Sequence, residues 1–263
     1  MSRRCRRRWS GCGADTEASR QPLEMKATRV PLFAFPDVVL HAEESVVKRH
    51  PQFQAAKGGD IIAAGILVAE FVRQQTTAAI HTMLAGHEAE LVPIHALESE
   101  GVNQIPVAMA RHLGRQLSVP INTSIVQSNS VGHTGASGFH RLANQALFDG
   151  HVTPGQRYLI VDDFVGQGGT LANLIGFMTS QGGEVLGATV LTGKQYSAKL
   201  APDESSILAL RHKHGGLLEN WWHEYFGFGF DCLTRSEARY LEKSADADTI
   251  RDRIAATRLE GGN

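Results

Sequence analysis

Two adjacent aspartates followed by a glycine-rich turn are the residues of this chain best suited to chemistry. The stretch RYLIVDDFVGQGGTL, residues 157–171, places an apolar run before Asp162 and Asp163 and a turn of residues 165–170 after them. If the run is a strand of a parallel sheet, the carboxylates lie at its carboxyl end, where ligands of α/β proteins bind. A helix that begins after the turn offers free backbone N–H groups and a positive dipole end to an anion. A ligand with a phosphate beside vicinal hydroxyls, such as a 5-phosphoribosyl group, needs these two features together.

Each half of this stretch also has an ordinary explanation. An aspartate at a strand end is often a helix cap or a turn residue, and glycine-rich turns occur in several nucleotide-binding folds. The turn has neither the GxGxxG spacing of dinucleotide-binding folds nor the GK[ST] ending of a P-loop. The combination of apolar strand, acidic pair and glycine turn is therefore more specific than either part alone.

The segments around this stretch predict an α/β domain with a mostly parallel sheet. Short apolar runs predict strands at ELVPIHA, INTSIVQ (121–127), RYLIV and EVLGATVLT. Between them, Asn103 and Pro106 suit the start of one helix, and a second helix begins near Thr170 and ends at Gly182 and Gly183. Alternating strands and helices of this length are typical of βαβ units, in which the strands run parallel.

The two flanking segments read as mostly helical. Residues 37–87 are apolar on most sides, as expected of helices within a core, and residues 194–263 give three further helical patterns. We therefore expect a disordered basic tail (1–24), a helical N-terminal segment packed on the core (25–87), the sheet-bearing core (88–193) and a helical C-terminal extension (194–263). Residues 25–263 are expected to form one domain, with the helical ends as a hood.

The string LIVDDFVGQGGTL resembles the phosphoribosyl-pyrophosphate (PRPP) binding motif of type I phosphoribosyltransferases. The stretch LVPIHALESEGVNQIP resembles the pyrophosphate-loop region of the competence-related, amidophosphoribosyl-like branch of that family. GHTGASGFHRLANQALF stands where that branch carries its flexible catalytic loop. The resemblance covers about residues 90–193, and it implies a Rossmann-like, mostly parallel sheet with helices on both faces.

The resemblance also implies roles for individual residues. Asp162 and Asp163 would contact the ribose hydroxyls directly or through Mg²⁺, which PRPP itself would largely hold. The 5′-phosphate would lie in the turn made by Val165, Gly166, Gln167, Gly168, Gly169 and Thr170. The pyrophosphate would be approached by Ala96, Leu97, Glu98, Ser99, Glu100 and Gly101. In the family, a nitrogen nucleophile displaces pyrophosphate from ribose C1, so catalysis would be mainly positioning and electrostatics.

The chain departs from the family pattern at two places. Gln167 stands where a small hydroxyl residue is usual, which would rearrange one phosphate hydrogen bond. More importantly, Glu98 and Glu100 occupy the pyrophosphate segment, which has no Arg or Lys. The glutamates could point to solvent, help to hold a second metal ion, or indicate an unusual substrate with an amine or base nearby. The candidate compensating cations are His133, His140, Lys194 and Arg141, of which Arg141 is the favoured catalytic, closing cation.

Two further stretches carry alternatives. The aromatic run ENWWHEYFGFGF, 219–230, could stack on an acceptor base as part of the hood or pack as an ordinary core. RHKHG, 211–215, has no carboxylate or cysteine at metal-ligand spacing, and we interpret it as a solvated helix end.

The composition limits the classes of protein to which the chain can belong. With 42% hydrophobic and 20% charged residues, the chain reads as an ordinary globular protein. A net charge of −1 disfavours a nucleic-acid partner, although the tail carries six arginines against three acidic residues. The apolar run at 61–72 is too short to span a membrane. Three cysteines without a framework favour a reducing cytoplasm. The oligomeric state stays open, with a homodimer as one option.

The function expected from the sequence is Mg²⁺-dependent phosphoribosyl transfer from PRPP to an unknown nitrogenous acceptor. Two rival functions are a non-catalytic PRPP or nucleotide sensor, favoured by the acidic pyrophosphate segment, and a nucleic-acid-linked accessory protein, suggested by the arginine-rich tail.

Overall fold

A four-stranded sheet in which every pairing is parallel forms the centre of the protein. The computed structural model describes residues 26–95, 97–98, 101–131 and 137–261. The basic tail therefore lies outside the described residues. The strands are β1 (Val39–Glu43), β2 (Ala89–Pro93), β3 (Leu97–Glu98), β4 (Gly101–Val102), β5 (Val126–Gln127), β6 (Phe148–Asp149), β7 (Arg157–Val165) and β8 (Glu184–Gly193). The central sheet has the order β1-β8-β7-β2, and β3-β4 and β5-β6 form two short antiparallel pairs.

Ten α-helices lie around the sheet in the described part of the chain. They are α1 (Glu44–Lys48), α2 (Phe53–Lys57), α3 (Ile61–Phe71), α4 (Gln74–Leu84), α5 (Ile105–Leu117), α6 (Gly138–Ala143), α7 (Gly169–Ser180), α8 (Glu204–Phe226), α9 (Arg235–Glu242) and α10 (Ala247–Gly261). Within the described ranges, no helix has both the length and the apolar character needed to cross a bilayer.

Helices cover both faces of the sheet, which confirms the predicted fold class. Side chains alternate along a strand, so successive residues of β7 point to opposite faces. Leu159 and Val161 pack into one apolar cluster with residues of α3 and α5. Tyr158 and Ile160 pack into a second cluster with residues of α7. This two-sided burial explains why RYLIV is continuously apolar.

A third apolar cluster belongs to the C-terminal extension. It joins α6 to α8, α9 and α10 around the fully buried Trp222. Helix α8 contains a break at Gly215, whose φ of 71° lies in the left-handed region. The break corresponds to the predicted boundary between two helical patterns.

The expectation that residues 37–87 are helical is wrong at its start. Residues 39–43 form β1, which pairs with β8 and makes one edge of the central sheet. The strand is only five residues long, so its apolar residues are easily mistaken for the start of the apolar helices that follow. The domain boundaries themselves stay a prediction.

The predicted strand INTSIVQ is also largely wrong. Ile121 makes one isolated parallel bridge to Leu91, and only Val126–Gln127 is a strand, paired with β6 outside the central sheet. The side chain of Asn122 accepts hydrogen bonds from the backbone N–H and the hydroxyl of Ser124. This local turn competes with strand pairing, so the segment does not continue to pair with β2 beyond Ile121.

The helix at 61–71 is buried on one side only. Leu67 and Val68 are buried, but Ile62 keeps 76% of its surface exposed. The predicted helix within the core is therefore present, but only one of its faces meets the core, which its apolar sequence on most sides does not reveal.

Candidate functional site

The acidic pair lies at the carboxyl end of β7, between β2 and β8. Both side chains are buried, with Asp162 at 7% and Asp163 at 8% exposure. The backbone N–H of Asp163 donates to Asp162 Oδ1 at 2.8 Å. Burial, and after it the neighbouring charge of Asp163, raises the pKa of Asp162 well above its usual value. Two buried carboxylates at a strand end are costly unless a ligand or counter-charge meets them.

Lys57 meets one of these carboxylates. Its Nζ lies 3.0 Å from Asp163 Oδ2, and the two side chains are 15% and 10% exposed. Lys57 is the last residue of α2, in the N-terminal segment, and the sequence reasoning did not identify it. Its sequence signal is weak, since a lysine before two glycines at a helix end is common on protein surfaces.

The turn after β7 leads directly into the start of a helix. Gly168 has a φ of 83°, a left-handed conformation that glycine adopts without strain, and α7 begins at the next residue. The first N–H groups of a helix have no partner within that helix. The hydroxyls of Ser197 and Thr234 donate to the carbonyls of Gly166 and Gln167, the latter at 2.6 Å. These bonds fix the turn from outside and confirm the predicted strand-turn-helix arrangement.

Arg141 lies directly against this turn. A Cβ atom placed on Gly166 would come within 2.5 Å of Arg141 Nη1, so glycine is what lets the guanidinium approach. Among the described residues, the buried Nε of Arg141 and the buried Oε1 of Gln167 have no hydrogen-bond partner. The sequence motifs predict Arg141 in a flexible loop, but it lies in α6.

A buried ion pair stands behind the turn. Arg29 donates two hydrogen bonds to Glu237, and its Nε donates to Asn173 of α7 at 2.6 Å. Glu237 also accepts from the backbone N–H of Thr234 at 2.9 Å and completes a capping box at the start of α9. A Cβ on Gly169 would lie 2.7 Å from Glu237 Oε1. The N-terminal and C-terminal segments thus both support the turn.

The predicted pyrophosphate segment is described only in part. Leu97–Glu98 pairs antiparallel with Gly101–Val102. Ala96, Ser99 and Glu100 lie outside the described residues. Gly101 has a φ of 128°, and a Cβ there would lie 2.6 Å from the carbonyl oxygen of Gly58. Gly101, the last residue of the segment, therefore packs against the end of α2, next to Lys57.

Two of the remaining candidate cations lie in the described part of the chain. His140 Nε2 lies 3.1 Å from the carbonyl oxygen of Val131. Lys194 Nζ lies 5.9 Å from the ring centre of Tyr196. His133 is outside the described residues.

The aromatic run belongs mainly to the core of the C-terminal extension. Trp222, Phe226, Phe228 and Phe230 are all buried within the third apolar cluster. These four side chains therefore follow the core-packing alternative rather than the acceptor hood. The interpretation of RHKHG as a solvated helix end is wrong for His214, which is buried and lies 3.0 Å from the carbonyl oxygen of Leu241 through Nε2.

Comparison with known proteins gives one domain match. Residues 101–211 match the family model of the phosphoribosyl transferase domain. This stretch contains the end of the predicted pyrophosphate segment, the acidic pair and the whole glycine turn. The match supports phosphoribosyl transfer as the general class of activity.

Curated relatives extend beyond that domain. The chain is 40% identical over 238 residues to Protein TraN of Escherichia coli, an alignment that covers 90% of this chain and 53% of that protein. It is 37% identical over 147 residues to an uncharacterized protein of Haemophilus influenzae, covering 56% of this chain and 33% of that one. The chain thus spans about half the length, or less, of the curated relatives it matches.

Among solved structures, an adenine phosphoribosyltransferase from Rhodothermus marinus is similar at 18% identity, with a TM-score of 0.33 over 48% of this chain and 71% of that one. Residues 101–211 are similar to phosphoribosyl transferase domains, and they carry the DDFVGQGGT string on a parallel strand, a glycine turn and a helix start.

Proposed function

We propose that this protein transfers a phosphoribosyl group from PRPP to a nitrogenous acceptor in a Mg²⁺-dependent reaction. The observation that carries the proposal is the buried acidic pair at the end of β7, followed at once by the start of α7. The carboxylates suit a ribose diol, and the helix start suits the 5′-phosphate. The two features follow each other along the chain as the two groups do along the sugar.

Different residues around the turn bind different groups of the ligand. Backbone N–H groups of residues 166–170 bind the 5′-phosphate in this proposal, and Arg141 adds a positive charge beside Gly166. Asp162 and Asp163 bind the ribose hydroxyls and favour the positive charge that develops on the sugar as pyrophosphate leaves.

The acidic pair also fits Mg²⁺. The ion prefers oxygen ligands and keeps several from water and substrate phosphates. Asp162 and Asp163 offer carboxylate oxygens whose mutual repulsion a cation relieves. When bound, the ion would neutralise the pyrophosphate leaving group. Asp162 and Asp163 would orient it through the ribose hydroxyls or through water.

An assay of pyrophosphate release across a panel of bases and ammonia tests the proposal. The D162N/D163N double variant is expected to lose turnover while remaining folded, which circular dichroism checks. The matched control is D248N, which makes the same change at a surface carboxylate that is 85% exposed. Full activity in the double variant would refute the assignment.

A non-catalytic PRPP-binding regulator is the second candidate. The observation in its favour is the pair of glutamates, Glu98 and Glu100, in a pyrophosphate segment without Arg or Lys. Calorimetry with PRPP, run beside the release assay, separates the two functions. Binding without release from any acceptor would favour the regulator.

A further inference from the structure

We propose that Lys57 supplies the positive charge for the pyrophosphate group of PRPP, a charge that the acidic segment 96–101 itself lacks. This inference rests on the proposed function and deepens it, because it assigns a binding residue from the N-terminal segment to the leaving-group end of the ligand.

The position of the ammonium group is the first argument. Lys57 Nζ is 3.0 Å from Asp163 Oδ2, at the acidic end of β7 where the ribose would lie. The lysine side chain is 15% exposed, so its charge is only partly screened by water. A charge in such a place acts strongly on an anion that enters the same space.

The backbone beside Lys57 is the second argument. A Cβ on Gly101 would meet the carbonyl oxygen of Gly58 at 2.6 Å, and the N–H of Gln104 donates to the carbonyl of Ala56 at 3.1 Å. The residues on either side of Lys57 are therefore packed against the end of the predicted pyrophosphate segment. The backbone next to Lys57 thus adjoins Gly101, the last residue of that segment, while its side chain reaches Asp163.

The placement of the other cations is the third argument. Arg141 lies against Gly166 in the phosphate turn, which serves the opposite end of the sugar. Lys194 lies near the ring of Tyr196, and His140 lies near the carbonyl oxygen of Val131. The ammonium of Lys57, by contrast, lies 3.0 Å from the acidic pair, and its neighbour Gly58 packs against Gly101.

An exchange of partners follows from this arrangement. Without ligand, the ammonium balances the Asp163 carboxylate. With PRPP, the flexible four-carbon stem lets Nζ turn to a pyrophosphate oxygen. The Asp163 oxygen is then available to the ribose hydroxyls, so the same lysine balances charge in both states.

Calorimetric titration tests the inference with three probes in the presence of Mg²⁺: PRPP, ribose 5-phosphate and inorganic pyrophosphate. K57M is expected to weaken PRPP and pyrophosphate about 10- to 100-fold, as expected for loss of a hydrogen bond to a charged group. Ribose 5-phosphate should change by less than about threefold, and K57R should recover part of the loss. The matched control is K199M, which breaks a surface Lys–Asp pair with Asp203 and should change nothing.

K57M also leaves the buried Asp163 carboxylate without its lysine partner, which by itself can disturb folding. Comparing D163N with K57M/D163N avoids this effect, because neither variant has the Asp163 carboxylate. In D163N, Lys57 has lost this ion pair, and pyrophosphate should still bind. K57M/D163N should then lose about tenfold or more relative to D163N. Equal weakening of ribose 5-phosphate and pyrophosphate in K57M, or no loss between these two variants, would overturn the inference. Failure of the unaltered protein to bind any probe would instead refute the proposed function itself.

Discussion

The guanidinium of Arg29 lies bidentate on the carboxylate of Glu237, directly behind Gly169 of the glycine turn. The hydrogen bonds measure 2.5 and 2.9 Å, and the two residues are 8% and 1% exposed. Arg29 precedes the sheet and Glu237 follows it by more than forty residues, so their pair joins the two ends of the described chain at the turn. The turn is therefore held by contacts that the matched domain alone does not contain.

Removal of the charge on Glu237 should lower the free energy of unfolding substantially. In E237Q, the buried Arg29 keeps its charge without a counter-ion, and breaking such a pair costs about 3–5 kcal/mol of unfolding free energy. Urea unfolding measures the loss. The control is E184Q, which breaks the more exposed pair of Arg157 and Glu184 and should cost less than about 1 kcal/mol. Similar small losses in both variants would contradict the structural role given to Arg29.

Gly166 should tolerate no side chain without loss of phosphate binding. The Cβ of G166A would lie 2.5 Å from Arg141 Nη1, so the guanidinium must move away from the turn. We expect ribose 5-phosphate to bind about tenfold more weakly in a calorimetric titration. G65A is the control, because its Cβ meets no atom within 4 Å in α3 and should stabilise the helix by up to about 1 kcal/mol. Unchanged affinity in G166A would show that Arg141 is not needed at its present position.

Arg141 itself should act through its charge. R141M is expected to weaken ribose 5-phosphate about 10- to 100-fold at low salt, with a smaller difference as salt rises. R141K keeps the charge and should fall between the two proteins, since it lacks the planar fork. R157M, at the opposite end of β7, provides the control. If R141M binds as tightly as the unaltered protein, Arg141 only packs against Gly166.

His41 should make the fold sensitive to mild acid. Its Nδ1 and Nε2 lie 2.7 and 2.9 Å from the hydroxyls of Thr76 and Thr189, and a neutral ring requires one hydroxyl to donate to it. Burial, with a smaller effect of His112, lowers the pKa of His41 from 6.5 to about 4. Below pH 6.5 the unfolded chain therefore takes up a proton that the folded chain refuses. The free energy of unfolding falls by about 1.4 kcal/mol for each pH unit down to about pH 4.

Urea unfolding at pH 7 and pH 5 measures this effect. The unaltered protein should lose about 2 kcal/mol more between these values than H41Q, which has no titrating ring. An identical loss in both proteins would show that His41 is charged in the folded state.

Trp222 should stabilise the fold without affecting which acceptor base is preferred. Trp222 is fully buried among the aromatic rings of the third cluster. W222A should therefore lower the free energy of unfolding by about 3–5 kcal/mol. Trp221 is only partly buried and stacks on Tyr225, so W221A should cost less. The ranking of acceptor bases should be the same in both variants. A changed ranking in W222A would return this residue to the acceptor hood.

The strand, turn and helix at 157–180 could be predicted because their signals are local. An apolar run, an acidic pair, a glycine turn and an apolar stripe follow one another without interruption, and each agrees with the next. The structure confirms the strand, the left-handed glycine and the helix start. The chemical roles of Asp162, Asp163 and the turn stay predictions.

The supporting residues could not be predicted in the same way. Lys57 is 106 positions from Asp163, and Arg29 is 208 positions from Glu237. No periodicity connects residues so far apart, and a lone lysine or arginine looks like any surface cation. β1 was missed for a related reason, since its pairing partner β8 lies about 150 residues away and its five residues look like the start of a helix.

The edge position of β1 has a consequence for anyone who shortens the chain. A fragment cut at 101–211 would retain β7 and β8 but lose both of their outer neighbours in the sheet. Two long apolar strands would then present bare hydrogen-bonding edges, which in solution recruit further copies and lead to aggregation. The excised piece would also carry its acidic pair without the lysine that now balances it. Expression trials should therefore keep the residues from Lys26 onward together with those through α10, which packs in the third apolar cluster.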